Sequence, residues 1–254
     1  MTKVNLNADM GEGFGAYDIG DDAAMLDLVS SANVACGFHA GDPNVMRRVI
    51  KAAVERGVSV GAHPGFNDLT GFGRRRIDMA MPDIEAMVAY QIGALQGMAA
   101  AGGTKVTHVK PHGALNNMAS EQDDVAGAIA AAVRGVDPGL ILVAVSGSSL
   151  FNACNTIGLP VASEAYADRS YADDGNMTSR KFSNAMIRNP AEAAEQVRRM
   201  VKDGIIVSTS GKEIPVNAQS ICIHGDEPTG PAVAKAVRAV LVAEGIEILT
   251  LPEM

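Results

Sequence analysis

Short apolar segments alternate with longer amphipathic segments along most of the 254 residues of the chain. The short segments have the length of β-strands, and the longer ones have the length and apolar spacing of α-helices. Such a series is typical of a parallel sheet whose strands are connected by helices. The predicted strands are 4–9, 32–38, 58–63, 105–110, 140–145, 160–166 and 220–224, with a weaker eighth at 246–251. The predicted helices include 44–56, 83–101, 123–134, 191–203 and 232–244.

Prolines and glycines mark the ends of these helices. Pro43 and Pro190 stand where a first helical turn begins, which tolerates a residue without an N–H group. Gly158 and Gly204 follow the last helical positions, where a left-handed cap favours a residue without Cβ. The repeated punctuation supports a series of βα units.

The two faces of the predicted strands differ in polarity. Asn5, Asn7 and Asp9 share one face of the first strand, and apolar residues occupy the other. A doubly wound sheet covers both faces with helices and favours continuous apolar strands. One polar face instead indicates a barrel lumen that opens into a site at the carboxyl ends of the strands. Seven clear strands and one weak strand predict a barrel that is irregular or incompletely closed.

One segment interrupts the βα alternation. Residues 205–216 contain two short apolar stretches around Ser210 and Gly211, which predicts a β-hairpin. No linker or low-complexity tract separates it from its neighbours. We therefore expect one barrel domain over residues 1–254, with this hairpin as an excursion from it.

Composition and charge narrow the functional classes. Hydrophobic residues make up 47% of the chain and charged residues 20%, which excludes wholesale disorder. A net charge of −8 argues against non-specific binding of nucleic acid. Three widely spaced cysteines suggest a reducing compartment, and neither a signal peptide nor a membrane-spanning run is evident. The expectation is a cytoplasmic protein that binds neither nucleic acid nor membrane.

Titratable residues gather at the predicted carboxyl ends of the strands. A lone histidine there is usually a hydrogen-bonded loop residue, but four of the five histidines fall at or just after such an end. Convergence of so many groups on one rim favours a functional site. The titratable residues at these positions are Asp9, His39, His63, Lys110, His112, Glu164, Asp168, His224 and Asp226.

Three kinds of chemistry fit this set of residues. Histidine and aspartate are good ligands for zinc-type ions, but no pair has the tight spacing of a helical metal motif. Metal-free hydrolysis would use a carboxylate and a histidine to deprotonate water, while Lys110 stabilises developing negative charge. A non-catalytic module could use the histidines only as donors to a small anion. The weak spacing signal predicts no tightly bound metal.

Two loops add glycine and arginine to the rim. Residues 11–15 (GEGFG) follow the first strand but lack the full dinucleotide fingerprint, and no Walker A motif occurs. Glycines there would let the backbone approach a ligand, with Glu12 beside Asp9. Residues 65–76 end in Arg74, Arg75 and Arg76, the only basic run in the chain. That run fits either a solvated face or a clamp for an anion or phosphate.

Six motifs in order along the chain resemble those of the LamB/YcsF family. Together they are specific, although none would be alone. The first departs slightly from the usual family pattern but keeps Asn7, Asp9 and Glu12. The motifs are NLNADMGEGFG (5–15), SANVACGFHAGDP (31–43), GAHPGFNDLTGFGRR (61–75), VKPHGAL (109–115), SEAYADRSY (163–171) and HGDEP (224–228).

The resemblance implies a fold and an activity. The implied fold is a TIM-barrel-like (β/α)7 barrel of the glycoside hydrolase/deacetylase type. The implied activity is that of a 5-oxoprolinase: ATP-dependent hydrolysis of 5-oxo-L-proline to L-glutamate with release of ADP and phosphate. The chain would be the A component of that enzyme and would work with two partners, subunits B and C. ATP with Mg²⁺ is the implied cofactor. Phosphorylation of the lactam oxygen would activate this poorly electrophilic amide.

This activity suggests roles for the rim residues. The predicted catalytic residues are Asp9, His39, His63 and Lys110, of which the first three would activate water and transfer protons. The predicted residues for substrate or nucleotide binding are Asn7, Glu12, Arg74, Arg75, His112, Asp168, Arg169, His224 and Asp226. Two alternatives stay open: a metal-dependent deacetylase or amidohydrolase, and a non-catalytic protein that binds a small carboxylate for its partners.

Overall fold

The predicted strands are present in a computed structural model, which describes residues 2–225 and 228–254. Their polar faces point inward and their apolar faces meet a layer of helices. The strands are β1 (Lys3–Met10), β2 (Ser31–Ala35), β3 (Ser59–His63), β4 (Val106–Val109), β5 (Ile141–Val145), β6 (Val161–Tyr166), β7 (Ile205–Val207), β8 (Glu213–Pro215), β9 (Ser220–Cys222) and β10 (Glu247–Ile248).

Seven of these strands form a closed parallel barrel. Strands β1 to β6 pair in chain order, and β9 pairs with both β6 and β1. The ring is irregular, because the β3–β4 register shifts between Val60 and Gly61. The weak eighth strand contributes only β10, which pairs with the start of β1 outside the ring. The predicted seven-stranded, TIM-barrel-like fold is confirmed, and of the two forms expected for the barrel it takes the irregular but closed one.

Each predicted helix is present, with its ends shifted by one or two residues or, in one case, with a different last turn. The helix predicted over 191–203 is α-helical to Arg198 and continues as a π-helical turn to Asp203, which ends at left-handed Gly204. The helices are α1 (Asp22–Leu26), α2 (Pro43–Glu55), α3 (Met81–Ala101), α4 (Gly113–Glu121), α5 (Asp123–Val136), α6 (Ser149–Ile157), α7 (Pro190–Arg198) and α8 (Gly230–Ala243).

The apolar core lies between the barrel and the helices. Leu6 on β1 and Ile50 on α2 are both fully buried there. Burying one such side chain contributes about 1.5–3 kcal/mol to the stability of the fold. The packed layer therefore holds the strands, and with them the strand ends, in fixed positions. The predicted hairpin is present outside it as the antiparallel pair of β7 and β8. No helix in the described part of the chain is long and apolar enough to cross a membrane.

Hydrogen-bonded polar side chains fill the lumen of the barrel. The Asn5 amide donates to Ser31 at 2.7 Å, and its oxygen accepts from Ser220 at 2.7 Å. The hydroxyls of Ser31 and Ser59 are also 2.7 Å apart. Lumens of this kind usually contain branched apolar residues. Here a polar network extends up the axis toward the carboxyl ends of the strands and supports the residues above it.

Candidate functional site

A cavity of about 770 Å³ opens at the carboxyl ends of the barrel strands. It lies where a β/α barrel carries its active site. Among the residues predicted from the sequence, those that line it are Asp9, Glu12, His63, Arg74, Lys110, His112, Arg169 and His224.

Other predicted residues lie near this cavity without lining it. Asn7 is buried beneath its floor, and Asp168 lies behind His224. His39 lines a neighbouring cavity of about 310 Å³. Arg75 turns away and pairs with Asp68. Asp226, the remaining predicted residue, falls outside the described part of the chain.

Lys110 forms the floor of the cavity and is almost fully buried. Its Nζ lies 2.9 Å from Asp9 Oδ1, 3.1 Å from Glu164 Oε1 and 3.0 Å from Cys222 Sγ. Burial favours the neutral amine, but the Asp9 and Glu164 carboxylates outweigh it and hold the pKa of Lys110 well above its ordinary value. The ammonium is therefore a shared ion-pair partner of two carboxylates.

The amide side chain of Asn33 fixes the orientation of Asp9. Asn33 donates to Asp9 Oδ1 at 2.9 Å and to Asn7 Oδ1 at 2.7 Å, and the Asn33 oxygen lies 3.1 Å from His108 Nε2. Burial alone would raise the pKa of Asp9, but His63 and Lys110 hold it well below the usual value. Asp9 is thus an ionised carboxylate whose Oδ2 lies 3.4 Å from His63 Nε2.

His63 and His112 each have one ring nitrogen against a backbone carbonyl. His63 Nδ1 lies 2.6 Å from the Lys110 oxygen, and His112 Nε2 lies 2.8 Å from the Phe72 oxygen. A carbonyl only accepts, so both of these nitrogens carry a hydrogen. Burial and the nearby His63 lower the pKa of His112 to about 3, which makes it neutral. The other two nitrogens, His63 Nε2 and His112 Nδ1, are 3.0 Å apart.

His39 and Glu12 complete a group with these two histidines. The His39 ring stacks on His112 with centroids 3.7 Å apart, and burial lowers its pKa well below the ordinary value. Glu12 Oε1 lies 3.5 Å from His112 Nδ1 and 3.7 Å from His39 Nε2. One donor atom from each of Glu12, His39, His63 and His112, here called the Glu–His cluster, lies within 4.8 Å of the others. These four residues could hold a metal ion.

The opposite side of the cavity carries a different arrangement, here called the His224 wall: Asp168, His224 and Arg180. His224 Nδ1 lies 2.8 Å from Asp168 Oδ1, and Arg180 donates to His224 Nε2 at 3.1 Å. The His224 backbone N–H also donates to Asp168. Burial would raise the pKa of Asp168, but His224 holds it below the usual value. This pair resembles the carboxylate–histidine half of a catalytic triad.

The cavity also carries cations that are not among the predicted site residues. Arg76 lines it in place of Arg75, and Arg180 and Lys181 reach it from the segment between β6 and α7. Arg169 ties that segment down by donating to the backbone oxygens of residues 178 and 185. The basic run pointed to Arg76. No motif or periodicity in residues 172–189 pointed to Arg180.

Comparison with known proteins identifies the family. The LamB/YcsF family model matches residues 4–254. The chain is 52% identical over 247 residues to a protein from Rhodopseudomonas palustris that is named as the A component of 5-oxoprolinase, covering 97% of each chain.

Solved structures share the fold. A lactam utilization protein from Thermus thermophilus is 44% identical and superimposes with a TM-score of 0.94, over 98% of this chain and all of that one. The catalytic domain of a peptidoglycan N-acetylglucosamine deacetylase from Eubacterium rectale is 12% identical, with a TM-score of 0.52 over 98% of this chain and 88% of that one. That second likeness concerns the fold alone. By sequence and by fold, this chain belongs to the LamB/YcsF family.

Proposed function

We propose that this chain is the A component of a 5-oxoprolinase. In this proposal it acts in the cytoplasm with subunits B and C and catalyses the ATP-dependent hydrolysis of 5-oxo-L-proline to L-glutamate, with ADP and phosphate as co-products. The relatives named for this component of 5-oxoprolinase support the substrate. The observation that carries the chemistry is the ionised Asp9 beside His63, across one cavity from the His224 wall.

The chemistry proceeds by phosphorylation and two additions of water. ATP, bound with Mg²⁺, transfers its terminal phosphoryl group to the lactam oxygen and leaves as ADP. Water adds to the activated carbon, and the carbon–nitrogen bond breaks as the ring nitrogen takes up a proton. The resulting acyl phosphate reacts with a second water to give L-glutamate and phosphate. The cost of opening a stable amide is thereby coupled to cleavage of ATP.

The two sides of the cavity divide the proton transfers. His63 Nε2 accepts the proton of the attacking water, and the Asp9 carboxylate stabilises the imidazolium that forms. His224 delivers a proton to the ring nitrogen from Nε2, because Asp168 holds the opposite nitrogen and stabilises the charged ring. Arg180, which donates to that Nε2 in the free protein, is released when the nitrogen is protonated.

The arginine-rich part of the cavity suits the anionic groups of these species. Arg74, Arg76, Arg180 and Lys181 line it together. Arginine binds carboxylates and phosphates through paired donors, so this part is assigned to the substrate carboxylate and the transferred phosphoryl group. Lys110, paired with Asp9 and Glu164, offsets part of the negative charge of the floor while these anions are bound.

The test is release of L-glutamate from 5-oxo-L-proline and ATP. The reaction is run with this protein alone, with subunits B and C alone, and with all three. We expect release only from the full set, in step with phosphate, and a loss of at least about 100-fold for Asp9→Asn. No release from a folded, complete set would contradict the proposal, as would full activity of the folded variant.

A second function, ATP-independent amide or ester hydrolysis that depends on a metal, is favoured only by the Glu–His cluster. It predicts that this protein alone hydrolyses an N-acetyl substrate and that a chelator abolishes the activity. Ligand binding without turnover in any combination of the three proteins would instead identify a non-catalytic component that binds a small carboxylate.

A further inference from the structure

Two ring nitrogens of the Glu–His cluster face each other and a carboxylate. His63 Nδ1 and His112 Nε2 lie against backbone oxygens at 2.6 and 2.8 Å, so these two nitrogens carry hydrogens. The opposite nitrogens, His63 Nε2 and His112 Nδ1, are 3.0 Å apart, and Glu12 Oε1 lies 3.5 Å from the second. Imidazole nitrogens and a carboxylate oxygen gathered in this way are the atoms that bind a divalent cation.

His39 gives an independent indication at the same place. It is 1% exposed, and neither of its ring nitrogens has a hydrogen-bond partner among the described residues. Buried polar atoms are nearly always satisfied, so an unsatisfied imidazole calls for a ligand that the protein does not itself supply. Glu12 Oε1, 3.7 Å from His39 Nε2, adds negative charge to the same small space.

Close packing around the cluster holds its rings in place. A Cβ added at Gly73 would lie 2.7 Å from the His39 Cβ and 2.9 Å from the His112 ring. A Cβ added at Gly65 would lie 2.6 Å from His39 Nδ1. Glycine at these positions lets the loop 64–80 pass directly against the imidazoles, as expected of a site whose donor atoms are positioned in advance.

The donor set selects a class of ion. Three imidazole nitrogens and one carboxylate suit zinc and similar first-row divalent ions, whereas magnesium and calcium prefer oxygen ligands. Tetrahedral bonds of about 2.0–2.1 Å place the donor atoms about 3.3 Å apart. The distances of 3.0, 3.5 and 3.7 Å between donor atoms in the cluster bracket that value.

We propose that Glu12, His63 and His112 bind a zinc-type divalent ion, with His39, whose donor atom lies within 4.8 Å of theirs, as the fourth ligand. Such an ion supplies Lewis-acid chemistry at this side of the cavity. An ion bound to His63 Nε2 would take that nitrogen out of the proposed proton transfer, and Asp9 Oδ2, 3.4 Å away, would replace it as the acceptor of the water proton. The binding site itself depends on the geometry of the cluster and not on the identity of the substrate.

The test is metal titration of the full-length protein after removal of bound metal. We expect one equivalent of Zn²⁺ or Co²⁺ to bind at least about 100-fold more tightly than Mg²⁺, with the visible absorption of four-coordinate Co²⁺. His112→Asn should weaken Zn²⁺ binding at least about 100-fold and Glu12→Gln about 10-fold. His224→Gln is the matched control, a cavity histidine outside the cluster, and should bind Zn²⁺ as the unaltered protein does.

Circular dichroism and thermal melting show which variants fold. If His112→Asn does not fold, Zn²⁺ binding by Glu12→Gln is compared with that of the unaltered protein instead. Absence of saturable binding to the folded protein would overturn the proposal. So would binding that the cluster variants retain, or that His224→Gln loses to the same degree. Because the titration needs neither substrate nor partner proteins, its failure is distinct from failure of the lactam assay.

Discussion

The two histidine-bearing sides of the cavity differ in how completely their hydrogen bonds are satisfied. On the His224 wall both ring nitrogens of His224 have partners, Asp168 at 2.8 Å and Arg180 at 3.1 Å. In the Glu–His cluster two ring nitrogens face each other at 3.0 Å, and His39 has no hydrogen-bond partner among the described residues. The same residue type thus serves two purposes. One side is complete without a ligand and suits proton transfer, whereas the other leaves a buried imidazole without a partner and suits the proposed cation.

Both sides of the cavity rest on the charged floor beneath them. Removal of the Lys110 ammonium from that floor should have the largest effect on stability. Lys110→Met leaves Asp9 and Glu164 buried without their ammonium partner. A buried carboxylate that loses its partner typically costs about 3–5 kcal/mol, so we expect that loss of unfolding free energy in urea at pH 7.

The double variant Lys110→Met, Glu164→Gln is the control for that loss. It also removes the Glu164 carboxylate, one of the two charges left without a partner, and should recover part of the lost stability. Equal stability of the unaltered protein, the single variant and the double variant would show that the charges of the floor do not support the sites above it.

Breaking the complete side tests its catalytic part. Asp168→Asn keeps the shape of the side chain but removes the negative charge that holds His224 Nδ1. We expect kcat/KM of the reconstituted enzyme to fall about 100-fold, the usual contribution of an oriented acid or base. Asp173→Asn is the matched control, since Asp173 is exposed and hydrogen-bonded to Ser208 and Ser210 away from the cavity. Equal activity of the two variants would separate the His224 wall from catalysis.

The fifth histidine, His108, should make the stability of the folded protein depend on pH. Burial, followed by the charge of Lys110, lowers the pKa of His108 to about 3. An unfolded histidine titrates near pH ~6.5, so between about pH 6.5 and 3 the unfolded chain binds more protons than the folded one. The contribution of His108 to the free energy of unfolding is therefore complete above about pH 6.5. It is lost as the pH falls, by about 1.4 kcal/mol per pH unit.

Urea unfolding between pH 4.5 and 7 measures this slope. In the folded His108→Gln variant, stability should fall less steeply with decreasing pH, by about one proton. An unchanged slope would mean that His108 is already protonated in the folded protein.

The smallest expected effect comes from two glycines that share a backbone conformation. Gly73 and Gly57 have φ angles of +62° and +67°, so alanine is strained at both. Only at Gly73 would the added Cβ meet the cluster, whereas at Gly57 it meets open space. Gly73→Ala should lose about 1 kcal/mol more in thermal unfolding than Gly57→Ala, because the new methyl group overpacks the histidine stack. Equal losses of stability in the two variants would show that the loop moves to accommodate the methyl group. The packing at Gly73 would then not fix the positions of the histidine rings.

The barrel and the place of its site could be predicted because both follow from local periodicity. Alternation along β1 separates Asn5, Asn7 and Asp9 from an apolar face, and Asp9 and His63 both fall near strand ends that converge. The alternation along a strand shows which side chains face the lumen, but not how deep each one lies once the ring is closed. The sequence pattern therefore predicts that Asn7 binds a ligand, although Asn7 lies beneath the cavity floor.

The Glu–His cluster could not be predicted from spacing. Its residues come from four different loops or strand ends, and only the closure of the barrel and the turn at Gly73 bring them together. Arg180 lies in a segment without regular periodicity that folds back over the cavity. Arg75 and Arg76 look equivalent in the sequence, but Arg75 pairs with Asp68 away from the cavity, whereas Arg76 pairs with Glu121, which lines it.

The contrast between the two sides is tested most directly by anomalous diffraction from crystals of this protein equilibrated with Zn²⁺. Data collected above and below the zinc absorption edge locate the ion without reference to activity. The account predicts one strong peak among Glu12, His63 and His112, and none beside His224. An empty Glu–His cluster, or a peak at His224 instead, would contradict it.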